Sequence, residues 1–187
     1  MAINPFLSAS SSKKSTHTKP VLAPHERRSS ISLYVSNKPG VLVRVAQVFA
    51  RRGFNIDSLV VSPGKDPEFS RMTIECHGAS DSFDQIIKQC AKLVDVVHAG
   101  EHDGDHIIAR EFALIKVGTT QETRSDILQI IEHFKAWTVD FTDESLIIQI
   151  AGSTEKLDSA VGLLEPYGII EQVRTGRVIM ARGKEET

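Results

Sequence analysis

The stretch Ile31–Gly53, ISLYVSNKPGVLVRVAQVFARRG, changes its hydrophobic period midway. Ile31, Leu33 and Val35 alternate with Ser32 and Tyr34, the pattern of a strand with one face turned inward. From Val41 onward the period is helical. Val41, Leu42, Val45, Val48 and Phe49 share one face, with Arg44, Gln47 and Arg51 opposite. Gly53 suits the position just past a helix end, where the chain turns left-handed. Asn37, Lys38, Pro39 and Gly40 stand between the two elements and read as a sharp turn.

The same alternation of periods continues downstream. A strand is expected near Asn55–Ser62, then a loop marked by Pro63, Gly64 and Pro67. Met72, Ile74 and Cys76 alternate with Thr73 and Glu75 in another strand. Ser82 and Gln85 have capping-box spacing and open a helix whose apolar face carries Phe83, Ile86, Ile87, Cys90 and Leu93. Val94, Val96 and Val97 supply a fourth strand, so the order is βαββαβ. It recurs from Phe112–Val117, through a helix face of Ile127, Ile130, Ile131 and Phe134, to strands at Trp137–Phe141 and Leu146–Ile150. Leu157, Ala160, Val161 and Leu164 make the next helix face, and Ile169–Val173 and Val178–Ala181 close the chain. The fold class is α+β, with two ferredoxin-like βαββαβ units. Helices cover one face of each sheet, and the other face must be polar, paired or covered. Both units have mostly apolar strands, so pairing with another copy or another protein is expected. Residues 1–28 read as a disordered tail, 29–103 as the first domain and 104–187 as the second. The join falls in His98–His106, a polar stretch with Gly100 and Gly104.

Composition narrows the function classes. The 187 residues carry 22 Lys and Arg against 24 Asp and Glu, a net charge of −2, so a strongly basic nucleic-acid binder is excluded. No run approaches the roughly 18 apolar residues of a membrane helix. Two cysteines, Cys76 and Cys90, form neither a disulfide framework nor a CxxC pair and point to a reducing, cytoplasmic setting. Residues 1–28 are rich in Ser and Thr, with five basic side chains and Glu26 as the single acid. Such a segment cannot bury enough apolar surface to offset its ordering entropy. It is read either as a plain tail or as an organelle-targeting segment, although no Arg precedes Arg27.

The turn Asn37–Leu42 is where chemistry is expected. Pro39 fixes φ, and Gly40 lets a ligand approach the backbone. The first amides of the helix that follows lack internal partners and, with the helix dipole, favour an anion such as a carboxylate. Asn37 can hold an α-amino group through its side chain. The alternative is a turn and helix start with no ligand.

Four blocks of the first unit carry a resemblance. They are NKPGVLVRV (Asn37–Val45), RGFNIDSL (Arg52–Leu59), SRMTI (Ser70–Ile74) and KLVDV (Lys92–Val96). In the second unit, Arg110-Glu111, Gln149–Gly152, Lys156–Asp158 and Arg174–Gly176 extend it. The chain resembles the small, regulatory subunits of acetolactate synthase (acetohydroxyacid synthase) over about residues 29–184. The resemblance implies that the first unit is an ACT domain and that the chain has no active centre of its own. It implies a partner, the large catalytic subunit, to which thiamine diphosphate, magnesium and FAD would belong. It implies activation of that subunit and feedback inhibition by a branched-chain amino acid, valine above all, held between the ACT domains of a homodimer. The effector site it implies comprises Asn37, Lys38, Pro39, Gly40, Val41 and Leu42, with Asn55 and Ile56. The Asn37–Leu42 backbone argument agrees with part of that set, with an apolar effector side chain over Val41 and Leu42.

Other features compete. His98, His102, Asp103, Asp105 and His106 crowd one stretch and raise the alternative of a metal-dependent enzyme, against a solvated linker. An ACT-type amino-acid sensor acting on another enzyme is a further alternative. Cys76 and Cys90 lie on apolar faces and read as buried structural thiols. No GxGxxG or GxxxxGK[ST] motif occurs, and Lys13–Lys14 and Arg27–Arg28 are too sparse for a nucleic-acid arm.

Overall fold

The computed structural model describes residues 26–102, 104–184 and 187. The first unit comprises β1 (Glu26–Ser36), α1 (Val41–Arg51), β2 (Asn55–Pro63), β3 (Phe69–Ala79), α2 (Phe83–Cys90) and β4 (Val96–His102). Its strands lie antiparallel in the order β2-β3-β1-β4, the ferredoxin-like arrangement. The second unit repeats the plan with β5 (Ile107–Gly118), α3 (Arg124–His133), β6 (Trp137–Phe141), β7 (Ser145–Gly152), α4 (Thr154–Leu164) and β8 (Ile169–Arg174), ordered β6-β7-β5-β8. A short β9 (Val178–Ala181) pairs with the first residues of β5, Ile107–Arg110.

The alternation in the sequence becomes a buried face in each sheet. Ile31, Leu33 and Val35 of β1 meet Val41, Val45 and Phe49 of α1 and Phe83, Ile86 and Cys90 of α2 in one core. Ala113, Ile115 and Val117 of β5 do the same with Ile127, Leu157, Ala160 and Leu164 in the other. Local chemistry closes the helices. Gly53, at φ 70°, donates to Ala50 O, and Phe54 N donates to Phe49 O, both at 3.1 Å, a Schellman motif. That turn delivers Phe54 edge-on to Phe83, with ring centroids 5.2 Å apart. At the start of α4, the Ser153 hydroxyl accepts from Lys156 N at 3.3 Å.

Partly buried charge pairs tie each unit together. Arg174 on β8 donates to Glu111 on β5 and, at 2.6 Å, to Asp158 on α4, and Thr154 also donates to Glu111. Burial works against the Arg174 charge, yet its two carboxylate partners hold its pKa above the usual value. In the first unit Arg27 and Ser29 donate to Glu101, and the Arg27 guanidinium lies 4.5 Å over the Phe83 ring. The Arg27 hydrogen bond, with that of Ser29, holds the Glu101 carboxyl below the usual range against the effect of burial.

Several sequence expectations need correction. β1 begins at Glu26, so residues 26–28 belong to the first sheet and not to the tail; residues 1–25 lie outside the described residues. His98–His102 is not linker but most of β4, paired to β1, because the edge of β1 would otherwise leave its amides open. Val94 is outside the strand and 95 % exposed. The Ser82–Gln85 box does not form. Ser82 has helical rather than extended backbone angles after a 3₁₀ turn, and Gln85 instead accepts from Arg52 at 2.6 Å.

The two sheet faces opposite the helices are unlike. On the first sheet, Ser30, Ser32, Thr73, Glu75 and Ser58 share a polar face, and Ser30, Ser32 and Thr73 are buried. On the second, Leu114, Ile147 and Val173 share the face with Trp137, which is 72 % exposed. Lys116, Gln149 and Glu171 lie on that second face as well, so it is mixed where the first is polar.

Candidate functional site

The turn between β1 and α1 is built by the residues the sequence singles out. Asn37 N donates to Glu68 O at 2.7 Å, and its side-chain Nδ2 donates to Pro67 O at 3.0 Å. Asn37 thus fastens the turn to the β2–β3 loop, and among the described residues its Oδ1 has no hydrogen-bond partner. Gly40 sits at φ 84°, ψ −10°, the left-handed region where side chains are disfavoured. Gly40 provides no side-chain cap, and Val41 N reaches Lys38 O only at 3.4 Å. Among the described residues the amides of Leu42 and Val43 have no acceptor, so the start of α1 presents unpaired donors with the positive end of its dipole.

Arg44, which the periodicity places simply on the outer face, is part of this site. Its Nη1 lies 3.2 Å from where a Gly40 Cβ would be. Asp95, just before β4, holds the guanidinium through Nε at 2.8 Å and Nη2 at 2.7 Å. The signal was its place one turn after Gly40, which on a helix is a neighbour of the turn. The site therefore combines free amides, a helix dipole and a positioned cation, the requirements of a carboxylate.

Val41 contributes its backbone only. Its side chain is 2 % exposed and belongs to the core, so it cannot cover a ligand. Leu42, 41 % exposed, and Val43 offer the apolar surface beside the turn. Lys38 and Pro39 are exposed at its tip.

Asn55 and Ile56 are elsewhere. They begin β2, past the C-terminal end of α1, while Gly40 precedes its N-terminal end. The 11 residues of α1 separate them by about 16 Å at about 1.5 Å per residue. One chain does not bring the two halves of the site together. Asn55 is exposed, with Nδ2 3.3 Å from Asp57 Oδ1, and Ile56 packs partly against the core. β2 is an edge strand running parallel to β1. Two copies paired antiparallel along β2 would set the Asn55 end of one against the Gly40 end of the other.

The histidine stretch takes a different form. His98 and His102 are on β4, and His102 Nε2 is 2.5 Å from Ser32 Oγ. Asp103 and the Asp105 side chain lie outside the described residues. Among the described residues, no three His, Cys, Asp or Glu side chains converge as a metal site. Cys76 and Cys90 are buried, and burial pushes their thiols up to about 12 and about 11. Among the described residues, no helix is long and apolar enough to cross a membrane.

Comparison with known proteins defines the class first. Residues 31–98 match the acetohydroxyacid synthase small subunit-like ACT domain, and residues 110–183 match the family described as the small subunit of acetolactate synthase. The acetolactate synthase small subunit of Mycolicibacterium smegmatis is 43 % identical over 154 residues, 82 % of this chain and 91 % of that one. That of Bacillus subtilis is 39 % identical over 158 residues, 83 % and 91 % of the two chains. The crystal structure of the acetolactate synthase small subunit from Thermotoga maritima superposes with a TM-score of 0.78 at 39 % identity, covering 85 % of this chain and 99 % of that one. These matches make the chain an ACT-domain regulatory protein and not a catalytic one. It belongs to the acetolactate synthase small subunit family.

Proposed function

We propose that this chain binds the large, catalytic subunit of acetolactate synthase, raises its activity and makes it sensitive to a branched-chain amino acid. The effector, valine first among the candidates, sits between the first units of two copies. Its carboxylate lies on the Leu42 and Val43 amides beside Arg44, with the Gly40 backbone against it. Asn37 Oδ1 accepts from its ammonium group. Its side chain rests on Leu42, and the partner copy closes the site with Asn55 and Ile56. The observation that carries this reading is the uncapped start of α1 beneath a cation, with the second half of the site about 16 Å away along the same helix. A site divided in this way needs two copies. Effector occupancy then shifts an equilibrium only by its differential affinity for the two arrangements of the pair. Thiamine diphosphate, magnesium and FAD belong to the large subunit on this reading, and the complex works in the cytoplasm.

Calorimetric titration with valine, leucine and isoleucine tests the site, and reconstitution with the large subunit tests the function. The ligands differ by about one methylene, worth about 1–3 kcal/mol in an apolar pocket, so all three are compared. Saturable binding together with effector-dependent inhibition of the reconstituted enzyme is the expected result. Reconstitution that yields neither activation nor inhibition overturns the proposal. The match of the second unit to the small-subunit family weighs against a sensor acting on some other enzyme.

A further inference from the structure

The turn that follows β8 leaves its own unit and lands on the polar face of the first sheet. Within the second unit it is firmly held. Arg174 is clamped by Glu111 and Asp158, Thr175 N donates to Phe112 O at 3.0 Å, and Phe112 N donates to Thr175 Oγ1 at 3.2 Å. The next two residues reach across. Gly176, at φ 80°, lies so close to β2 that a Cβ there would be 2.5 Å from Ser58 Cβ. Arg177 Nη1 donates to Ser30 Oγ at 3.1 Å, and its Nε is 3.6 Å from Glu75 Oε1. Ser58 Oγ donates to the other oxygen of Glu75 at 2.8 Å. Ser30, Glu75 and Ser58 are a single rung across β1, β3 and β2. The second unit therefore grips three strands of the first at one level.

The rung has a particular position. The pairing of β2 with β3 shifts register between Ile56 and Ser58, so Asp57 is a bulge. On one side of that bulge are Asn55 and Ile56, and on the other is Ser58, against Gly176. A bulge leaves one residue out of the ladder and bends the strand at that point. We propose that the Thr175–Arg177 turn, seated on Ser30, Ser58 and Glu75, is the joint that passes effector occupancy at the start of β2 to the second unit. This rests on the effector reading of Asn55 and Ile56 given above. Movement of Asn55 about the bulge displaces Ser58 and its partner Glu75, and the turn follows through Arg177, which is tied to Glu75 and Ser30. The Arg174 clamp converts that displacement into a shift of β8, β5 and α4 together.

The test uses full-length chain with the large subunit. Arg177→Ala removes both bonds of the arginine, and Glu75→Gln removes the charge while keeping an acceptor for Ser58. Three quantities are read for each variant: effector affinity by calorimetry, activation in the absence of effector, and the maximal inhibition reached at saturating effector. Expected are affinity and activation within about twofold of wild type and a loss of at least about fivefold in the inhibition ratio, the scale of an ordinary coupling. The double variant should lose no more than the larger single loss, because both substitutions break one contact. Thermal melting confirms that each variant is folded. Full inhibition of Arg177→Ala and of Glu75→Gln, with wild-type effector binding, overturns the joint alone. Failure of the wild-type chain to bind or to confer inhibition overturns the effector reading and the joint with it. Proportionate loss of affinity, activation and inhibition in both variants assigns the contact a structural role only and also overturns the joint.

Discussion

Gly40→Asp separates the two demands the turn makes on this position. The backbone is left-handed at φ 84°, and an L side chain there costs about 1–2 kcal/mol. A new Cβ meets only the flexible end of Arg44, at 3.2 Å, which can move aside. The added carboxylate then gains from the cation and the helix dipole, about 0.3–1 kcal/mol. The fold should therefore lose only about 1 kcal/mol. Effector binding should suffer far more. Two carboxylates about 4 Å apart repel by about 1 kcal/mol in water and about 4 kcal/mol near a protein surface. That range weakens binding by between about fivefold and about a thousandfold. Gly40→Ala carries the strain without the charge and serves as the comparison. Calorimetry gives the affinities, and the reconstituted enzyme gives inhibition and activation side by side. Gly40→Asp should weaken inhibition by the same factor while leaving activation, and Gly40→Ala should weaken binding only modestly. The reasoning is refuted by wild-type affinity in Gly40→Asp, or by equal losses in the two variants, since equal losses would mean strain and not charge.

Further outcomes follow from the buried groups. Arg174→Ala leaves Glu111, 5 % exposed, without its cation, and should cost about 3–5 kcal/mol, read from the denaturant midpoint. The lowered Glu101 carboxyl contributes stability that is complete above its ordinary pKa of 4.5 and is lost as pH falls through its lower folded value. The stability gap between wild type and Glu101→Gln, measured from pH 7 downward, should accordingly hold to about pH 5 and close below it. With thiols raised to about 12 and about 11, Cys76 and Cys90 should resist a thiol reagent at pH 8 and react only at the rate of unfolding.

Much of this architecture is legible in local patterns. Alternation in Ile31–Val35 and the helical spacing of Val41–Phe49 lead directly to β1 and α1, because burial of a strand face and a helix stripe are local periodicities. Gly53 marks the end of α1 for an equally local reason, its positive φ. The Asn37–Gly40 turn is also where, among the described residues, the amides of Leu42 and Val43 stay unpaired. What the sequence conceals depends on partners distant along the chain. β1 extends back to Glu26 because β3 and Glu101 are there to receive it. His98–His102 becomes strand only by pairing with β1. Ser30, Ser32 and Thr73 look like outward polar positions, and nothing nearby in the sequence announces that they are buried. The approach of Gly176 to Ser58 spans more than half the chain, and no periodicity encodes it.

The separation of Gly40 from Asn55 along α1 has a genetic consequence. On the proposed reading, a two-fold pair would contain two effector sites, each made from the turn of one copy and the β2 start of the other. A homodimer of Gly40→Asp chains spoils both sites, and so does a homodimer of Asn55→Ala chains. When the two variants are mixed, each heterodimer concentrates both defects in one site and leaves the other wholly wild type. Two insensitive alleles expressed together should therefore restore part of the sensitivity that neither confers alone.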